Sequence, residues 1–148
     1  MAITVAPVAQ GGSNACADVL AGDQVIAPRS LLASARRILD GAEKDAANGL
    51  HMSACAGAQR AAAMATEAWL REEGQPIVSA SVLENVCLSP QSGADVRDAA
   101  RFLDRYRIEE GPHGSAGEVA GSPRESEEAV LSARRVFEFV EGRMGVAG

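Results

Sequence analysis

Between Leu50 and Glu73 small residues recur at helical spacing. Leu50, Ala54, Ala58, Ala61, Ala65 and Ala68 fall on one face, and Trp69 adds bulk near its end. Alanine has the strongest helix propensity, and a face lined by it lets a second helix backbone come close. The pattern therefore requires helical neighbours. Apolar residues make up 47% of the chain and aromatic ones 3%, so alanine, valine and leucine must form the core, which favours an all-helical fold. Gly74 and then Gln75-Pro76 end this helix.

Three further helices surround it in sequence. The first starts at Pro28, a residue suited to the first helical position because its missing N–H has no partner there anyway. Leu31, Leu32, Ala35, Ile38, Leu39 and Ala42 form its apolar stripe, and Asn48-Gly49 closes it. A later helix is expected from Ser92 as N-cap, with Asp95 completing a capping box and Val96, Ala99, Ala100, Leu103 and Tyr106 buried. The last helix has the clearest start: Ser122 as cap, Pro123 at the first position and Glu125 closing the box. Glu127 and Glu128 suit the positive end of its dipole. Val130, Ala133, Phe137, Val140 and Met144 form its stripe, with Val136 beside it. Between Ile77 and Leu88 lies a short apolar stretch in which Val82, Leu83, Val86 and Cys87 share a face of a short helix; β-prone Ile77-Val78 keeps a strand open as the alternative.

The expected architecture is an antiparallel up-and-down bundle of four main helices plus one short helix, spanning residues 28–144. Residues 1–27 show no sustained periodicity and read as a flexible tail, and residues 145–148 as a frayed C-terminus. No apolar run approaches the length of a membrane span. The N-terminus lacks a basic n-region, which argues against a secretory signal and points to the cytoplasm.

The net charge of −6 excludes non-specific nucleic-acid binding through the overall field, so any such role needs a local basic site. Three cysteines, Cys16, Cys55 and Cys87, without a Cys-x-x-Cys pair exclude a disulfide framework and a zinc knuckle. His51 and Cys55 stand four apart on one helix, but two ligands do not make a metal site. Packing or a helix-end position explains both residues. The glycine-rich stretch from Gly111 to Gly121 follows a helix rather than a strand, so it is no phosphate loop, and no pattern calls for a cofactor or metal. Met52, Cys55, Ala62, Ala63 and Met64 lie partly off the alanine stripe and leave room for a second apolar surface, which favours a homodimer.

Several segments resemble HEPN domains. Leu31-Leu32-Ala33-Ser34-Ala35-Arg36-Arg37-Ile38-Leu39 opens like their first helix. The stretch from His51 to Gly74 resembles their long alanine-rich second helix. The segment Ala99-Ala100-Arg101-Phe102-Leu103-Asp104-Arg105-Tyr106 is similar to their third helix, and Ser126 to Met144 to their final one. The resemblance implies an all-helical and commonly dimeric protein. HEPN proteins include metal-independent ribonucleases, often toxins, and inactive members that pair with a nucleotidyltransferase. Active members carry an arginine followed a few residues later by a histidine, and these meet across a dimer cleft.

In this chain Arg107 and His113 have five residues between them. Histidine exchanges a proton near neutral pH, as attack by an RNA 2′-hydroxyl requires. Arginine neutralises the phosphate charge that builds in the transition state. Against this, Glu109 and Glu110 lie between the two and repel phosphate. Gly111-Pro112 also places His113 in the loop after the third main helix, whereas active members carry the motif around the start of the last. The plain alternative is a pair of surface residues at a helix end. Arg97, Arg101 and Arg105 recur every four residues and make a basic stripe suited to RNA, a nucleotide or an acidic partner, or else a solvated face paired with Asp98 and Asp104.

Three functional readings follow from the sequence. One is a HEPN-like module acting by binding, in a toxin–antitoxin-type system or beside a nucleotidyltransferase. Another is a HEPN-type ribonuclease using Arg107 and His113. The third is a helical interaction protein unrelated to nucleic acid.

Overall fold

The computed structural model describes residues 26–77, 81–106 and 122–146. Five helices lie within them: α1 (Pro28–Ala47), α2 (His51–Glu72), α3 (Glu84–Leu88), α4 (Ala94–Asp104) and α5 (Pro123–Met144). No strand occurs among the described residues. The expected tail lies almost wholly outside them, as do residues 107–121 and therefore Arg107 and His113.

The helix ends follow local chemistry. Pro28 opens α1 at its first position. At its far end the amide of Leu50 donates to Asp45 O (2.8 Å) and that of Gly49 to Ala46 O (3.2 Å). Gly49 adopts φ +83° there, a backbone state that an L side chain resists. The end of α2 repeats the device, with Gly74 at φ +68° and the Gln75 amide on Leu70 O (2.8 Å).

Packing places α2 at the centre. Ala54, Ala58, Ala61, Ala65, Ala68 and Trp69 are buried, as the alanine stripe requires. Leu50, grouped with them from the sequence, is instead 54% exposed, because the turn after α1 carries it out of the core. Cys55, Gly57, Ala62, Thr66 and Leu70 are buried too, so α2 is covered on more than one side. This corrects the expected free apolar surface: Cys55 and Ala62 are core residues, Ala63 and Met64 are partly buried against the core, and of that group Met52 alone is exposed. At Gly57 the backbones of α1 and α2 come so close that a Cβ there would lie 3.2 Å from Ala42 Cβ.

Pair contacts fix the topology. His51 of α2 meets Ser126 in the first turn of α5, and Trp69 lies edge-on against Phe139, their ring centroids 5.2 Å apart. The two helices therefore run parallel. Arg134 of α5 pairs with Glu43 of α1 at 2.6 Å, Arg36 with Glu141, and Arg29 reaches Met144 O at 2.8 Å, so α1 is antiparallel to α5. Tyr106, just past α4, bonds Glu125 at the start of α5, so α4 is antiparallel to it as well. Successive main helices thus alternate in direction, and the close α2–α5 pair separates α1 from α4.

Of the stretch left open between helix and strand, Glu84–Leu88 forms the short α3, with Val86 and the preceding Leu83 buried, while residues 78–80 lie outside the described residues. The start of α4 differs from the sequence reading. Gly93, not Ser92, is the N-cap, and no side chain caps this helix. Ser92 is buried and donates through Oγ to Val86 O at 2.6 Å, holding α3 against the entry to α4. Burying the hydroxyl demands a partner, and the carbonyl at the end of α3 is the acceptor within reach.

Candidate functional site

The described structure stops after Tyr106, next to Arg107, and resumes at Ser122; Arg107 and His113 lie between, outside the described residues. Tyr106 and Ser122 lie at one end of the bundle, beside the α1–α2 turn. Tyr106 is fully buried and lies edge-on against Phe102, with ring centroids 5.6 Å apart. Its hydroxyl donates to the carboxylate of Glu125. The Arg105 guanidinium sits 4.5 Å above the Phe102 ring and 3.7 Å from the second Glu125 oxygen.

Ser122 caps α5 as its sequence promised, accepting the Glu125 amide at 3.0 Å. The Glu125 side chain, expected to reach back and close the capping box, instead crosses to α4. One residue therefore joins the cap of α5 to the end of α4. Sequence reasoning placed Glu125 at the cap and missed its partner, because no local pattern reports a contact with Tyr106.

Beside this joint, His51 Nδ1 lies 2.8 Å from Ser126 Oγ. The Ser126 hydroxyl has one proton, directed to Pro123 O at 3.0 Å, so it accepts from Nδ1–H of His51. In that arrangement His51 does not act as a base toward Ser126, which is also buried. Burial, reinforced by the charge of Glu125, raises the Cys55 thiol to about 11. Cys55 is thus a protonated core residue at neutral pH rather than a nucleophile or a metal ligand. Among the described residues no group of His, Cys, Asp and Glu side chains is arranged to hold a metal.

The basic stripe on α4 is largely engaged within the protein. Arg97 Nη2 donates to Ser89 O at 3.4 Å, and Arg105 is held by Phe102 and Glu125. Arg101 is 65% exposed and has a loose 3.5 Å contact with Asp98. Asp104 accepts a hydrogen bond from Ser81 Oγ at 2.5 Å. Of the three arginines, Arg101 stands most open to solvent.

The profile of the HEPN domain family matches residues 28–143. The chain belongs to the HEPN family. Solved structures agree in fold. An archaeal HEPN homologue superposes with a TM-score of 0.65 at 22% identity, covering 80% of this chain and 98% of its own. A HEPN domain protein from Thermotoga maritima gives 0.62 at 24% identity, covering 78% and 97%. A protein from Thermus thermophilus gives 0.65 at 28% identity, covering 78% and 97%. No curated protein matches the chain. Among the described residues no HEPN helix here is long and apolar enough to cross a membrane.

Proposed function

We propose that this HEPN domain acts by binding a protein partner, in a toxin–antitoxin-type system or beside a nucleotidyltransferase, and works as a homodimer in the cytoplasm. The observation that carries this reading is the convergence at one end of the bundle. Tyr106, Glu125 and Ser122 are tied together there, and beside them Leu50 in the α1–α2 turn and Met52 in the first turn of α2 are 54% and 53% exposed. Exposed apolar side chains beside a fixed, charged joint of Arg105, Tyr106 and Glu125 suit a macromolecular partner. Arg101, at 65% exposure, is the arginine of the α4 stripe most available to a partner.

Co-expression with the product of a neighbouring gene tests the proposal. Size-exclusion chromatography with light scattering should show a complex that the double variant Leu50→Asp, Met52→Asp abolishes. An unchanged complex in the double variant would move the interface elsewhere.

The second reading is a metal-independent ribonuclease using Arg107 and His113. It is supported by the buried anchor at Tyr106, which immediately precedes Arg107. RNA cleavage in excess chelator, compared between wild type and His113→Ala, decides it. Equal activity in the two would remove His113 from the chemistry. A monomer at micromolar concentration would remove the shared-cleft form of the reading.

A further inference from the structure

A second feature lies at the opposite end of the bundle. A groove of about 440 Å³ runs between the N-terminal half of α1 and the last turn of α5. Leu32, Ala33 and Val146 give it an apolar floor. Gly145, at φ +72°, turns the chain after α5, and the Val146 amide donates to Glu141 O at 2.9 Å. That turn lays Val146 against the core and completes the wall.

Arg29, Arg36 and Arg37 all line this groove, in a chain whose net charge is −6. Their surroundings differ. Arg29 holds the carbonyl of Met144 at 2.8 Å and faces Glu72 at 3.4 Å. Arg36 pairs with Glu141 and lies 5.6 Å from the centre of the Phe137 ring. Arg37 makes a single hydrogen bond, to Ser34 Oγ of its own helix at 3.0 Å, and among the described residues it has no carboxylate within ion-pair distance. Arg37 is thus the groove's uncompensated cation. Asp40, one turn further along α1 at the rim, opposes any ligand with a second negative charge.

We propose that this groove binds a monoanionic organic acid. Its carboxylate meets the planar fork of Arg37, and its apolar body lies on Leu32, Ala33 and Val146. A guanidinium matches a carboxylate through two parallel N–H···O bonds. The volume suits a small molecule or the last residues of a peptide.

The test titrates the ¹⁵N-labelled full-length chain with 2-naphthoate, its uncharged analogue 2-naphthamide, and inorganic phosphate. Naphthoate should give saturable shifts at the amides of Ala33, Arg37 and Val146. Naphthamide should bind at least roughly tenfold more weakly, since it lacks the charge-assisted contact. Phosphate should give no saturable shift there.

Arg37→Gln, a change at an exposed side chain, should weaken naphthoate by about tenfold or more with Tm unchanged, and Arg37→Lys should fall between. A short apolar peptide with a free carboxylate, run beside its amidated form, distinguishes a protein terminus from a free acid as the source. Equal binding of naphthoate and naphthamide, shifts confined to other surfaces, or unaltered affinity in Arg37→Gln would overturn the assignment.

Discussion

Glu125 shows how a single side chain acquires two duties. Its amide is part of the α5 cap, and its carboxylate takes the Tyr106 hydroxyl. Tyr106→Phe removes one charge-assisted hydrogen bond and leaves the ring in place. Urea unfolding should show a loss of about 2 kcal/mol. Cys55 gives a second prediction at this scale. Its thiol stands near 11 in the folded protein against 9.0 for the ordinary group. Below the ordinary value both states are protonated and the thiol has no effect on stability. Above it the unfolded chain ionises first, so stability should fall as pH rises from about 9 toward 11. Cys55→Ala should flatten that part of the profile, measured by unfolding at fixed pH. The sequence set Cys55 beside the alanine stripe, and the structure buries it. The sequence could not show that Glu125 lies near enough to add its charge, since that proximity comes from α2 and α5 packing together.

Among the helices, the start of α5 was legible and the start of α4 was not. Ser122-Pro123 and Glu125 form a cap whose members all lie within four residues, and the amide of Glu125 does bond Ser122. Ser122→Ala should cost about 1 kcal/mol, read from thermal or urea unfolding. Ser92 and Asp95 offered the same pattern, yet Ser92 bonds Val86 O instead. Burial against α3 removed that hydroxyl from the helix it was expected to cap. Between α1 and α2 the decisive residue is Gly57, which faces Ala42. Gly57→Val would force two backbones apart and should cost on the order of 1–3 kcal/mol by the same measurement. Gly57→Ala gives a smaller effect, because better helix propensity offsets part of the contact.

Over the whole molecule, the central α2 ties the bundle into one cooperative unit, and Trp69 reports on it. The chain has one tryptophan, and it is 1% exposed and packed on Phe139. Its fluorescence should shift to the red in a single transition that coincides with loss of helical circular dichroism. Trp69→Ala should cost about 3–5 kcal/mol. Trp69→Phe should cost much less, because the indole Nε1 is buried without a hydrogen-bond partner among the described residues and its removal loses no such bond. By itself the sequence determined the helical class, the family, the approximate helix ends and the alanine face that draws helices together. These are encoded by periodicity and capping, which act within a few residues. Only the tertiary structure decided that α2 is covered on more than one side, that Glu125 serves Tyr106, that Ser92 turns inward and that Arg37 has no carboxylate partner among the described residues. Those outcomes depend on which groups distant in sequence arrive at the same place, and burial then requires each polar group to take the partner it finds there.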